Sequence, residues 1–304
     1  MSAVAQLPGA GTAPGAGPPP PGPPADPGRR RSRVAYLLLL PGMGWLVLFF
    51  LVPMFSLLSM SLSEGSLERG YNFTGRFANY SEAWSQYAEY FWRSFLYAGI
   101  ATVLALALAY PLAYTIAFKA GRWRGVLLIL VIAPFFTSFL LRTLAWRTIL
   151  ADSGPVADFL NLFFTDVRLL NTPLAVVTGL TYNFLPFMIL PLYASLERID
   201  PGLIEAGGDL YASPFTAFRK VTFPLSMPGV VAGTLLTFIP ATGDYINAEL
   251  LGTVQTRMVG NVIDSRFLVI TDYPTAAALS FTLMASIVVL VALYIRRAGT
   301  EELV

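Results

Sequence analysis

The sequence predicts an all-α membrane protein with six transmembrane helices, on three observations. Hydrophobic residues make up 55% of the 304-residue chain, and the mean hydropathy is +0.62. Apolar runs long enough to cross about 30 Å of hydrocarbon as helices occur six times. Charged residues make up only 12% of the chain and lie mostly between these runs. This combination is typical of a polytopic membrane protein and not of a soluble domain.

The composition also excludes several kinds of chemistry. The chain has no Cys and no His, so it cannot form disulfides or use a thiol or an imidazole in catalysis. Its only two lysines, Lys119 and Lys220, fall in polar segments between apolar runs. The net charge of +2 gives no electrostatic footprint for nucleic acid. We therefore expect a non-catalytic protein that binds no metal and no nucleic acid.

The N-terminal region precedes the membrane domain, which we place at residues 34–304. Residues 1–28 are dominated by Pro, Gly and Ala, which predicts a disordered, locally polyproline-like segment. Together with the basic stretch that ends at Arg33, they form a predicted cytoplasmic tail, residues 1–33. The apolar run that follows, Ala35 to Leu62, is too long for a signal peptide and has no small-residue cleavage site after it. We interpret it as a retained first span.

Six spans place both termini on the same side of the membrane. The predicted spans are residues 35–62, 92–118, 124–149, 174–197, 228–252 and 275–296. The side of the termini carries twelve basic residues, namely Arg29, Arg30, Arg31, Arg33, Lys119, Arg122, Arg124, Arg198, Arg219, Lys220, Arg296 and Arg297. The opposite loops carry fewer basic residues among more acids. The positive-inside rule therefore predicts cytoplasmic termini.

The two longer loops face outward in this topology. Residues 63–91 are rich in Tyr and Trp, which is typical of a chain that skims the membrane interface. The loop at 150–173 is expected to hold a short helix over Val156–Phe164. Either loop could receive an extracytoplasmic solute-binding protein, and aromatic packing at the interface is the alternative.

A polar cytoplasmic loop, residues 198–227, separates the fourth and fifth spans. A short helix is expected after Asp200, with Pro201 in its first turn, and a second one near Ser213, which can cap it ahead of Pro214. Two short helices on a membrane face would make a rigid projection. The alternative is an ordinary amphipathic hairpin at the interface.

The motif in this loop runs Glu205-Ala206-Gly207-Gly208-Asp209-Leu210-Tyr211-Ala212-Ser213 and ends Val221-Thr222-Phe223-Pro224. Its spacing resembles the signature loop of permease subunits in bacterial ABC importers. Gly207, Tyr211 and the Val221/Phe223 pair depart from that pattern. A Gly in place of Tyr211 would permit a positive φ, so Tyr211 implies that the turn closes with a negative φ or by another device.

Three further segments resemble the B-type permease of spermidine/putrescine-type ABC importers. They are Leu185-Pro186-Phe187-Met188-Ile189-Leu190-Pro191-Leu192-Tyr193, Pro224-Leu225-Ser226-Met227-Pro228-Gly229 and Gly260-Asn261-Val262-Ile263. The resemblance covers about residues 35 to 297. It implies a type I ABC importer permease fold with cytoplasmic coupling helices, in a multi-pass protein of the bacterial inner membrane.

The resemblance also implies partners. They are a cytoplasmic ATPase homodimer, a second homologous permease, an extracytoplasmic solute-binding protein and a polyamine substrate. ATP and Mg²⁺ would bind on the ATPase subunits and no cofactor on this chain, which has no Gly-x-x-x-x-Gly-Lys-Ser/Thr phosphate loop. Glu205 would meet a basic residue of the ATPase. The residues expected to couple the chain to the ATPase are Glu205, Ala206, Gly207, Asp209, Leu210, Tyr211, Ala212, Ser213 and Pro224.

The fifth span carries ionisable residues, which are costly inside a membrane and usually functional. Asp244 and Glu249 would project about 140° apart on an ideal helix, so both face one path only if the helix is broken. Pro240 and Gly243 favour such a break. Carboxylates and aromatic faces suit a polyammonium solute. The predicted substrate-pathway residues are Asp244, Tyr245, Asn247, Glu249, Tyr182, Phe135 and Phe136.

Other readings remain open at this stage. Asp244 could form an ion pair with Arg142 or Arg147 on the third span, and the aromatic residues could serve only for packing. Those arginines could instead serve an anionic solute, which makes a permease for another small solute the main alternative. A secondary transporter would predict internal repeats and buried ligands for a coupling ion, and the cytoplasmic loop would then have no explanation.

Overall fold

The computed structural model describes residues 33–164, 167–209 and 213–298. The tail predicted for residues 1–33 lies outside these ranges, apart from Arg33. The chain divides into two units after Pro53. In the first unit, α1 (Arg33–Leu46) is followed by a π-helical turn, Val47–Leu51. Residues 38–53 are all exposed, and this apolar surface suits a hydrocarbon environment.

From Val52 onward the chain is mostly helical, with one β-hairpin. The elements are α2 (Val52–Ser61), β1 (Ser63–Ser66), β2 (Gly70–Phe73), α3 (Ala78–Tyr114), α4 (Arg124–Ile132), α5 (Phe139–Ile149), α6 (Pro155–Leu160), α7 (Pro173–Glu197), α8 (Pro201–Asp209), α9 (Pro214–Ala217), α10 (Phe223–Leu225), α11 (Met227–Thr242), α12 (Ile246–Leu251), α13 (Val259–Asp264) and α14 (Tyr273–Ala298). π-Helical turns follow α3 at Thr115–Lys119, α9 at Phe218–Thr222 and α13 at Ser265–Val269.

Within the described ranges, four helical stretches are long and apolar enough to cross a membrane. They are Leu38–Ser61, Ala78–Lys119, Pro173–Glu197 and Tyr273–Arg297. Two bent helix pairs raise the number of crossings to as many as six if each pair forms one span. The protein is therefore a multi-pass, mostly helical membrane protein, as the sequence predicts.

The third predicted span, residues 124–149, is not one straight helix. α4 ends at Ile132 and passes through a 3₁₀ turn into extended residues Thr137 and Ser138 before α5 begins. The helical segments on either side are bent by 96°. Pro134 lies in the turn and cannot donate the backbone hydrogen bond that a continuous helix requires.

The fifth predicted span, residues 228–252, is also interrupted. α11 ends at Thr242 and α12 starts at Ile246, so Gly243, Asp244 and Tyr245 form the break between them. The break that Pro240 and Gly243 favour is therefore present. The fourth predicted span agrees with α7, which begins where the Thr172 side chain accepts a hydrogen bond from the Ala175 N–H.

Two outer segments differ from the expectation. α3 begins at Ala78, well before residue 92, because Ala83, Tyr87 and Phe91 repeat at helical spacing and are buried. The aromatic residues in this stretch therefore lie on a helix and not in an interfacial loop. The helix expected over Val156–Phe164 is present as α6 but ends at Leu160.

A β-hairpin that the sequence analysis did not predict precedes α3. β1 and β2 pair antiparallel, with Ser63 opposite Phe73 and Ser66 opposite Gly70. The amide of Asn79 ties the hairpin to α3, because it donates to the carbonyl oxygens of Ser61 at 2.9 Å and Ser63 at 3.0 Å.

The centre of the second unit is α7, which packs against α3 and α11. α3 contributes a seam of fully buried alanines, Ala98, Ala101, Ala105, Ala109 and Ala113. α11 contributes Gly229 and Gly233, where an added Cβ would lie 2.8 Å from the Pro191 carbonyl oxygen and 3.1 Å from the Met188 carbonyl oxygen, respectively. Small residues on both neighbours thus allow close approach to α7, as is usual for helices packed in membranes.

Candidate functional site

The break between α11 and α12 holds Asp244, whose side chain caps the second helix. Its Oδ1 atom accepts a hydrogen bond from the backbone N–H of Asn247 at 2.8 Å, and the residue is only 9% exposed. A carboxylate that caps a helix start satisfies a backbone donor that the helix leaves unpaired. Asp244 forms no ion pair with Arg142 or Arg147 among the described residues, so the structural pairing considered above is not observed.

Arg142 instead lies against aromatic rings at the bend between α4 and α5. Its guanidinium carbon is 5.7 Å from the ring centre of Phe135 and 5.6 Å from that of Phe139. The Nε and Nη1 atoms are buried and have no hydrogen-bond partner in the part of the chain that the structure describes. The bend thus carries a cation held by cation–π contacts.

A buried polar network joins the two broken spans across α7. Thr143 on α5, Asn183 on α7 and Asn247 on α12 are each at most 1% exposed. The Asn183 amide donates to the Thr143 hydroxyl at 3.1 Å and to the Asn247 side-chain oxygen at 3.0 Å. Asn247 is fully buried in this network, so its side chain has no free surface with which to contact a solute.

Gly260 and Asn261 hold the break from the other side. The side-chain amide of Asn261 donates to the Tyr245 carbonyl oxygen at 2.9 Å and to the Glu249 carboxylate at 3.2 Å. An added Cβ at Gly260 would lie 2.6 Å from the Gly243 carbonyl oxygen, so only glycine allows this approach. α3 fixes the start of α13, because the Val259 N–H donates to the Ser94 hydroxyl at 2.8 Å. The Gly-Asn-x-Ile motif therefore has a structural role at the candidate pathway.

The other predicted pathway residues fall into two groups. Tyr245, 43% exposed, and the exposed Glu249 lie with Asp244 at the α11–α12 break. Phe135 and Phe136 lie at the α4–α5 bend, where Phe135 packs against Phe187 with ring centres 5.0 Å apart. Tyr182 lines a cavity that also includes Pro134 of this bend, and its ring packs on Trp146 of α5. The structure does not gather all seven residues in one cavity.

The loop between the fourth and fifth spans contains the two predicted helices, α8 and α9. Pro201 opens α8, and the Ser213 hydroxyl caps α9 by accepting the Thr216 N–H at 3.3 Å. Glu205 and Pro224 are exposed. Ala206, Gly207 and Asp209 are placed only as backbone of α8, and Leu210, Tyr211 and Ala212 lie outside the described residues, so the expectation for the Tyr211 turn stays a prediction.

An aromatic cluster anchors the second half of this loop to α3. The Tyr110 hydroxyl is 2.7 Å from the buried Ser226 hydroxyl. The Tyr110 ring meets Phe218 edge-on, with centres 5.5 Å apart, and lies 6.1 Å from Phe223. The loop is thus fixed to the longest helix of the described chain by packing and a hydrogen bond.

The sequence analysis missed Thr143, Asn183 and Asn261 as site residues. A signal was present for Asn183, because an amide in the middle of an apolar span needs a partner inside the membrane. Its partners come from residues 40 and 64 positions away, which only the tertiary structure reveals.

Comparison with known proteins places this geometry in a family. Residues 109–298 match the family described as binding-protein-dependent transport system inner membrane component. The spermidine/putrescine transport system permease protein PotB of Haemophilus influenzae is 38% identical over 83% of this chain and 90% of that protein. PotB of Escherichia coli is 36% identical over 79% of this chain and 89% of that protein.

The fold is also that of a solved importer. A chain of a bacterial ABC transporter involved in the import of the acidic polysaccharide alginate superimposes with a TM-score of 0.69, at 17% identity, over 88% of this chain and 96% of that chain. At that identity the likeness supports the fold alone. The fold, the matched region and the close relatives agree, and the chain belongs to the family of binding-protein-dependent transport system inner membrane components.

Proposed function

We propose that this chain is a permease subunit of an ATP-driven polyamine importer. The observation that carries the proposal is the 38% identity to a spermidine/putrescine permease over 90% of that relative's length. Two carboxylates at the α11–α12 break, the exposed Glu249 and the buried Asp244, agree with a cationic solute beside the exposed ring of Tyr245.

The proposed machine contains partners that this chain requires. A second permease completes the pathway, a solute-binding protein delivers the polyamine from outside, and an ATPase pair binds ATP and Mg²⁺ on the cytoplasmic side. The excess of basic residues on the side of the termini and of the α8–α9 loop supports a cytoplasmic position for both.

Transport follows from rigid-body motion of the permeases. Closure of the ATPase pair moves the α8–α9 loop, in which Glu205 is exposed and available to a basic partner. The contact between Tyr110 and Ser226 passes this motion to α3. The pathway then alternates between inward- and outward-facing states. Along it, Asp244, Tyr245 and Glu249 meet the ammonium groups of the solute.

The test is uptake by the assembled complex. Proteoliposomes would hold this chain with its co-purifying partners and binding protein, and would receive radiolabelled spermidine, putrescine or, as an anionic control, glutamate. We expect spermidine or putrescine to accumulate only when ATP is present on the side of the vesicle membrane that carries the ATPase subunits. ATP-dependent accumulation of glutamate in place of the polyamines would overturn the proposed substrate, and uptake without ATP would overturn the proposed mechanism.

A further inference from the structure

A small cavity lies beside the α11–α12 break, between it and the end of α13. It has a volume of about 280 Å³ and is lined by residues that include Gly243, Tyr245, Gly260, Asp264 and Phe267. Ligand pockets for whole small molecules are usually roughly 300–1,000 Å³. The cavity therefore suits one end of a slender molecule. By the topology above, it lies toward the extracytoplasmic end of the break.

Asp264 is the charged group of this cavity, and its carboxylate is unpaired. No hydrogen bond or ion pair engages its side chain within the described ranges, although the residue is partly buried. The two nearby arginines are occupied elsewhere. Arg257 faces Glu249 at 3.9 Å, and Arg266 is bound to Asp272 at 3.2 Å. Among the described residues, the Asp264 carboxylate is thus without an ion-pair partner.

Two aromatic rings complete the walls. Tyr245 is 43% exposed and Phe267 is 44% exposed, so both rings have free surface beside the cavity. Phe267 is held by Tyr273, with ring centres 5.0 Å apart. A carboxylate beside aromatic faces is the arrangement that binds alkylammonium groups, through a charge-assisted hydrogen bond and cation–π attraction. A single carboxylate is a poor ligand set for a divalent metal.

The walls are also held in place before any ligand arrives. The Asn261 amide fixes the Tyr245 carbonyl at 2.9 Å, and Gly260 lets α13 lie directly against Gly243. A preformed site loses less conformational entropy on binding, which favours affinity.

We propose that this cavity binds one ammonium group of the transported polyamine, with Asp264 as its charge partner and Tyr245 and Phe267 as its aromatic walls. The inference rests on the proposed function and adds a specific subsite to it. Asp264 and Phe267 lie outside the span in which the sequence places the pathway. The subsite is the point at which the solute first meets this chain on its way to Asp244.

The first experiment measures initial rates of ATP-dependent spermidine uptake in proteoliposomes of the assembled complex. Wild type is compared with Asp264→Asn, Asp264→Glu and Glu301→Gln, the last a control at a carboxylate outside both outer loops and outside the 198–227 loop. We expect Asp264→Asn to raise the KM for spermidine about tenfold with little change in maximal rate, because one charge-assisted contact is lost. Asp264→Glu should stay within about threefold of wild type, and Glu301→Gln should not differ from it.

A second experiment does not remove the carboxylate. Because the chain has no cysteine, Phe267→Cys introduces a unique thiol at the cavity, and Leu162→Cys provides one at an exposed site elsewhere. Spermidine should slow maleimide labelling of the first thiol in the complex and leave the second unaffected.

The outcomes separate the two proposals. Wild-type complex that takes up no polyamine with ATP refutes the proposed function. Wild type that transports spermidine while Asp264→Asn keeps an unchanged KM refutes the cavity alone, as does equal labelling of Phe267→Cys with and without spermidine. An Asp264→Glu variant as impaired as Asp264→Asn refutes the role of the charge.

Discussion

Asp244 serves the fold, and under the proposed function it would also contact the solute. A carboxylate inside a span is usually functional, because burying an unpaired charge is costly. Here one of its oxygens is bound to the first turn of α12, so part of that cost is offset by a helix cap. The residue is 9% exposed, so only a small part of its surface is open to a solute.

Two substitutions separate these roles. Asp244→Asn keeps an oxygen that can cap α12, so we expect the thermal midpoint of the assembled complex to stay close to wild type while spermidine uptake falls. Asp244→Ala removes the cap and should also lower stability by about 1 kcal/mol. Thermal unfolding and uptake assays of both variants make the comparison. If Asp244→Asn transports at the wild-type rate, the side chain acts only as a cap.

At the scale of elements, close packing of α11 on α7 is set by two glycines. Gly229 faces the backbone of α7 so closely that an added Cβ would lie 2.5 Å from the Ser195 Cβ atom. No rotamer can relieve such a contact, since the Cβ position follows from the backbone. The helices would have to move apart.

Gly229→Ala is therefore expected to lower the stability of the complex by about 1–3 kcal/mol. The matched control is Gly99→Ala on α3, because a Cβ there would meet nothing within 4 Å. That change should be neutral or stabilising by about 0.5–1 kcal/mol, since alanine favours helix more than glycine does. We expect the thermal midpoint of the complex to fall with Gly229→Ala and to stay unchanged or rise with Gly99→Ala. A Gly229→Ala complex as stable as wild type would contradict the packing described here.

The elements also show which parts of the fold a sequence can predict. α7 was predicted almost to its ends, because a continuous apolar run begins just after a threonine cap. The bend between α4 and α5 was not, because Pro134 inside an apolar run is compatible with a kinked helix as well as with a break. The hairpin of β1 and β2 was missed because its turn, Leu67 to Arg69, has none of the usual Asn-Gly or Asp-Gly signals.

For the whole molecule, the proposed coupling loop and the candidate pathway are separate parts that both contact α3. Glu205 lies on the loop, is exposed and is far in sequence from the α11–α12 break. We therefore expect its substitution to affect coupling to the ATPase and to leave the residues of the break unchanged. The two helices of the loop and the break in the fifth span follow from the sequence, whereas the coupling and pathway roles stay predictions. Sequence motifs could not predict the network of Thr143, Asn183 and Asn247, because its members come from three different helices.

Glu205→Lys is expected to reduce ATP-dependent uptake by at least about tenfold, because it reverses the charge offered to the ATPase. Capture of solute by the binding protein should not change. Glu301→Lys, the same reversal at a carboxylate outside the 198–227 loop and both outer loops, is the control. The assay compares ATP hydrolysis with solute transported in the same vesicles. Wild-type uptake by a correctly assembled Glu205→Lys complex would contradict the role of the loop.

The helix α3 is held at two points that lie on opposite sides of the membrane in the predicted topology. Tyr110 binds Ser226 below, and Ser94 binds the start of α13 above. These points are about 24 Å apart along the helix axis. A rigid helix that is attached at both points can tilt about its middle, and such a tilt moves its two ends in opposite directions. A displacement of the α8–α9 loop would then move the start of α13 and, with it, Asp264. The motion that opens the proposed pathway on one side would therefore change the contacts to the solute on the other side.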